Sequence, residues 1–109
     1  MGACSKLIGF PPAVARARLL TEYFFLRSAI PAANPNELRR HFMNRITRHR
    51  RFVAFPLYSL ETSTFDEYLE EKKRSGYVQG DKLICLTPLG WERLALLEPK
   101  ATRLTCRSR

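Results

Sequence analysis

Apolar positions along the chain recur at spacings of three and four, and the runs break at Pro, Gly and short polar clusters. Leu19, Leu20, Tyr23, Phe24 and Leu26 make one broad apolar face. With Pro12 in the first turn and Pro31 beyond the end, this spacing predicts a helix from about Pro12 to Ala29. Asn34 as cap, Pro35 at the first helical position and Glu37 three residues after the cap start a second helix. Its stripe is Leu38, Phe42 and Ile46, and it ends near Asn44 or runs on to Arg50. Phe52-Val53-Ala54-Phe55 reads as a short strand closed by Pro56, followed by a loop over 57–63. Thr64 with Glu67, or Ser63 with Asp66, caps a third helix that buries Phe65, Tyr68 and Leu69 and ends at Ser75-Gly76. Tyr77-Val78 and Leu83-Ile84-Cys85-Leu86 predict a hairpin with a two-residue turn at Gly80-Asp81. Thr87 and Pro88 open a last helix, with Leu89, Leu94, Ala95 and Leu97 as apolar contacts, Trp91 as a large candidate anchor and Pro99 as terminator.

This pattern defines a fold class that is mainly α with a small antiparallel β-sheet (α+β). A chain of 109 residues fits one domain. We place it at 12–99, with an irregular lead over 1–11 and a basic tail over 100–109 that is expected to be mobile. At 45% hydrophobic and 27% charged residues, the composition is that of a folded globular protein. No stretch approaches the roughly 18 apolar residues that a membrane span needs. The start Met1-Gly2-Ala3-Cys4-Ser5-Lys6 puts Lys6 where a myristoylation signal wants Ser or Thr. Cys4, Cys85 and Cys106 lack CxxC spacing, so neither a disulfide framework nor a structural zinc site is expected. Cys85 reads as a small core residue. Free thiols fit a reducing, cytoplasmic compartment.

Charge changes the picture most. Nineteen Lys and Arg against ten Asp and Glu leave +9, and arginine supplies most of the cations. Such an excess favours an anionic partner. The densest stretch is 39–51, where Arg39, Arg40, Arg45, Arg48, Arg50 and Arg51 stand with His41 and His49 and without an acid. These arginines, with Lys82 near the hairpin turn, are the candidate phosphate contacts. Phe52 follows directly and is assigned to the sheet rather than to base stacking. The third helix is opposite in character. Asp66, Glu67, Glu70 and Glu71 dominate its exposed positions, and Lys72, Lys73 and Arg74 sit at its end, where they complement the helix dipole. No Gly-rich phosphate loop, nucleophile motif or metal-ligand spacing appears, so neither an enzyme nor a cofactor is expected.

The order from Phe65 to Leu97 is helix, Gly76-Tyr77-Val78, a turn at Gly80-Asp81, strand, Leu86-Thr87-Pro88-Leu89-Gly90, helix. It resembles the wing half of winged-helix DNA-binding domains of the MarR and PadR type, over about a third of the chain. The resemblance implies a DNA-binding regulator whose wing approaches the duplex and whose outer helices can pair in a homodimer. Those outer helices would be 12–29 and 88–97, with Tyr23, Phe24, Phe25 and Trp91 either as anchors between copies or packed within one copy. Two features depart from the family. The helix-turn-helix pair would be separated by some twenty residues, with 45–63 either an insertion or a strand of the sheet. The helix in the recognition position carries carboxylates where bases and phosphates would be met.

Two functions from different classes follow. In the first, the chain is a small non-enzymatic nucleic-acid-binding protein, a winged-helix transcription regulator that grips duplex DNA with its Arg-rich segment. In the second, it is a small phage or mobile-element inhibitor or adaptor, similar to anti-CRISPR proteins in size and style. It would then act on a protein of a nucleic-acid-handling machine through Asp66, Glu67, Glu70 and Glu71. A gel-shift with random duplex DNA across a salt series separates them.

Overall fold

A computed structural model describes residues 12–49 and 62–105. The order of elements is α1 (Pro12–Ser28), α2 (Pro35–Arg48), α3 (Thr62–Arg74), β1 (Val78–Gln79), β2 (Cys85–Leu86) and α4 (Pro88–Thr105). Four helices and a two-stranded antiparallel sheet bear out the α+β class. Of the segment 45–63, left open between an insertion and a strand, 45–48 belong to α2 and 62–63 to α3; its remainder over 50–61, with the expected strand Phe52–Phe55, and the lead 1–11 lie outside the described residues.

The local signals act as physical chemistry requires. Asn34 accepts the Glu37 amide on Oδ1 at 2.8 Å, and Pro35 fills the first position of α2, where no amide partner is needed. Leu38, Phe42 and Ile46 are fully buried, one beneath another along the helix. Thr87 accepts the Gly90 amide on Oγ1 at 3.0 Å and donates to the Gly76 carbonyl, so one hydroxyl caps α4 and ties it to the exit of α3. Gly76 takes φ +84°, the left-handed exit expected after a helix. At Gly90 a Cβ would lie 2.0 Å from the Tyr77 carbonyl oxygen, so only glycine lets α4 approach this closely.

The core gathers on α1. Leu20, Phe24, Phe25, Leu26 and Ala29 are buried, together with Thr21 and Ser28, whose hydroxyls donate to the Ala17 and Phe24 carbonyls one turn back at 2.7 Å each. Burying these hydroxyls leaves nothing unsatisfied. Phe25 meets Phe42 edge-on at 5.5 Å and Tyr68 at 5.1 Å, while Phe42 stacks on Tyr68 at 6.0 Å. Phe65 completes the cluster at 6.0 Å from both Phe25 and Phe42, which locks α1, α2 and α3 together through aromatic faces and edges. α4 packs along α1 through Leu94, Leu97 and Ala101.

Several expectations are corrected. The register is Val78↔Leu86 and Gln79↔Cys85, so the chain reverses over 80–84 rather than in a two-residue turn at Gly80-Asp81. Gly80 opens that loop with φ +111°, and Ile84 leaves the hairpin to pair with Ala33 through two bonds of 3.1 and 2.7 Å. This third edge between α1 and α2 was not read from the sequence. α3 begins at Thr62, so Ser63 and Thr64 lie inside its first turn instead of capping it. Pro99 does not end α4, which continues to Thr105, so 100–105 belongs to the helix and not to a tail. Proline removes one helical donor, but Ala95, whose carbonyl that donor would have met, lies on the exposed side of the helix. Ala101, 1% exposed, keeps the next turn anchored. Trp91 is 52% exposed, and Leu89 and Ala95 are exposed as well; the buried line of α4 runs through Gly90, Leu94, Leu97 and Ala101. Cys85 is half-buried, a free thiol 3.9 Å from the Gln79 amide nitrogen, rather than a core residue.

Candidate nucleic-acid interface

α2 presents its arginines around the stripe it buries. Arg40 and Arg48 are exposed, Arg39 and Arg45 are half-buried beside the core, and His41 is exposed. Arg50 and Arg51 lie outside the described residues. A cation that the sequence stretch did not include joins them: Arg27, in the last turn of α1. Burial first, and then the like charges of Arg27 and Arg48, lower the Arg45 guanidinium below its ordinary value. Arginine stays protonated at any physiological pH, so what bears on binding is the burial of Arg45 and, after it, the positive charge that Arg27 and Arg48 add at the junction of α1 and α2. Only a tertiary contact brings Arg27 to α2, and for that reason no linear run reveals it.

His49 closes α2. Its amide donates to the Arg45 and Ile46 carbonyls, its ring stacks on Phe24 at 4.8 Å, and Nδ1 lies 3.1 Å from the Arg45 carbonyl oxygen. It therefore belongs to the helix end rather than to a freely exposed cationic patch. Phe24 and Phe25 are buried within the chain and supply no surface between copies; of the suggested anchors, Trp91 is the exposed one and Tyr23 is half-buried.

α3 turns Asp66, Glu67, Glu70 and Glu71 to solvent. Glu70 pairs with Lys73 at 3.7 Å, and Lys73 reaches Asp81 in the 80–84 loop at 3.6 Å, so a cation of α3 steadies the hairpin tip. Lys82 is exposed in that same loop. The basic end of α3 does more than complement its dipole. Lys72 is nearly buried, 3.5 Å from a Glu22 oxygen, and sits over the Tyr68 ring at 4.9 Å. Arg93 of α4 grips the same carboxylate with a two-bond fork of 3.1 and 2.9 Å. This centre joins α1, α3 and α4. Burial pushes the Glu22 carboxyl up, but the Arg93 hydrogen bonds and the charges of Lys72 and Arg93 outweigh it and hold the group below the ordinary range. Burial, reinforced by Glu22 and Glu71, drives the neighbouring Tyr68 hydroxyl far above its usual value.

Among the described residues no group of three His, Cys, Asp or Glu is placed to hold a metal ion, and no helix is long and apolar enough to cross a membrane. No family model, no curated protein and no solved structure matches the chain.

Proposed function

We propose that this protein is a small, non-catalytic nucleic-acid-binding module of winged-helix type, working in the cytoplasm. It grips duplex DNA with the cations of α1 and α2 instead of reading bases with α3. The observation that carries this reading is the crowding of Arg27, Arg45 and Arg48 at one helix junction, with Arg40 exposed on the same helix. Clustered arginines release condensed counterions when phosphates replace them. The order helix, bridging residue Ala33, helix, helix, hairpin, helix supports the winged-helix part of the reading, with Lys82 in the position of a wing contact.

The acidic outer face of α3 favours a second reading, in which Asp66, Glu67, Glu70 and Glu71 meet a basic protein of a nucleic-acid-handling machine and the chain acts as an inhibitor or adaptor. A gel-shift with random-sequence duplex DNA at increasing salt separates the two. The first reading expects retardation at low salt that disappears steeply as salt rises, and unchanged or tighter binding when Glu70 and Glu71 are both replaced by Gln. Absence of retardation at the lowest salt contradicts it and leaves the acidic face as the working surface.

A further inference from the structure

α2 buries Leu38, Phe42 and Ile46 along one stripe and turns the opposite side to solvent. That side carries Asn36, Arg40, His41, Asn44, Thr47 and Arg48, all exposed, and at about 3.6 residues per turn they share one face. Glu37 is the one carboxylate of this face. It stands in the first turn, where the helix dipole favours it. The exposed face of a helix ordinarily mixes acids and bases that pair three or four residues apart. This one offers guanidinium, amide, imidazole and hydroxyl groups instead. Among the described residues neither the Arg40 nor the Asn44 side chain has a hydrogen-bond or ion-pair partner.

The shoulders of the helix give the second observation. Arg39 and Arg45 are half-buried on opposite sides of that face, between it and the buried stripe, and Arg27 of α1 adds its charge beside Arg45. Cations therefore flank an outer face whose groups form paired hydrogen bonds. The major groove of duplex DNA is about 12 Å wide and admits one α-helix, with a phosphate backbone along each side. An arginine fork matches guanine O6 and N7, and an asparagine amide matches adenine N6 and N7. Arg40 and Asn44 lie four residues apart, about 6 Å along the axis, which is less than two base steps of about 3.4 Å each. Both side chains therefore reach bases within the same short stretch.

We infer that α2 is the base-reading helix of this protein, entering the major groove with Arg40 on a guanine and Asn44 on an adenine one or two steps away. This role rests on the nucleic-acid reading and adds sequence choice to it. Arg27, Arg39, Arg45 and Arg48 hold phosphates, whereas Arg40 and Asn44 select the site. α3 is unsuited to that role, because Asp66, Glu67, Glu70 and Glu71 hold its exposed positions and repel the backbone.

The test selects binding sites for the full-length protein from a pool of random duplex DNA. Fluorescence anisotropy then compares the selected site with a scrambled one. A site holding guanine and adenine within two steps of each other is expected, bound about tenfold or more tighter than the scrambled duplex. Arg40→Lys keeps the charge but loses the fork, and Asn44→Ala loses the paired amide bonds. Each should cut the preference about fivefold or more, the lower limit for one bidentate contact, and relax it at a single base pair. Affinity for the scrambled duplex and its salt slope should stay as in the wild type. Both side chains are exposed, so both variants keep the fold, which matching thermal melts check. Salt-dependent binding without a selected site, or a preference that survives both variants, overturns the role of α2 and leaves the phosphate grip standing. No binding of any duplex at the lowest salt overturns both.

Discussion

Glu22 sits with 11% of its side chain exposed and faces Arg93 and Lys72, which come from two other helices. A carboxylate so placed stabilises the fold by being charged. Its proton affinity is lower folded than unfolded, so its contribution is fully present above the ordinary glutamate pKa of about 4.3 and fades as pH falls through the lower, folded value. Thermal melts of the wild type should therefore show a loss of stability below about pH 4 that Glu22→Gln largely lacks. At neutral pH the same variant leaves two cations facing each other. It should cost about 2–3 kcal/mol, less than a fully buried pair because Arg93 is partly solvated. A flat pH profile in the wild type would contradict this role. Trp91 gives the opposite expectation. With its ring half in solvent, Trp91→Ala should change stability by no more than about 1 kcal/mol, whereas Phe42→Ala should cost about 3–5 kcal/mol. Denaturant melts of the two variants compare them directly.

Elements whose signals are local were legible in the chain. Asn34-Pro35 and Thr87-Pro88 specify helix starts within four residues, and the structure uses both. Leu38, Phe42 and Ile46 mark a face that the core occupies in full. Trp91 was misread because hydrophobicity says that a residue can be buried, not that its face of α4 meets α1. Pro99 was misread because a missing donor costs little on the exposed side of a helix, and the line of Leu94, Leu97 and Ala101 outweighs it. Gln79 and Cys85 pair in a register that the Gly80-Asp81 turn chemistry did not foretell, since Ile84 is drawn to Ala33. Two substitutions test the packing of α4. Gly90→Ala drives a methyl into the Tyr77 carbonyl and should cost about 1–3 kcal/mol. Ala101→Asp buries a carboxylate beyond Pro99 and should lower the melting temperature by several degrees, about 4–8 °C per kcal/mol for a domain of this size. If Ala101→Asp melts like the wild type, the helix does not hold its last turn on α1.

At the scale of the whole molecule, the junction of α1 and α2 and the outer side of α3 differ in charge. Cations crowd the junction of α1 and α2, carboxylates cover the outer side of α3, and Lys73 with Asp81 joins α3 to the hairpin. Half of the candidate surface was legible as the Arg-rich run. Arg27 was not, because its approach to Arg45 is made by folding, and neither was the Glu22 centre, whose partners Glu22 and Arg93 lie 71 residues apart. The difference in charge predicts which face meets DNA. The most direct measurement is the salt dependence of duplex DNA affinity, by fluorescence anisotropy, for the wild type and for a variant with Arg27, Arg45 and Arg48 all changed to Ala. Each lost phosphate contact removes about 0.9 from the slope of log affinity against log salt, so the variant's slope should be shallower by roughly 2–3 units, with little dependence on sequence. An unchanged slope in a folded variant, or a wild type without salt-dependent affinity, would contradict the assignment of this face to nucleic acid.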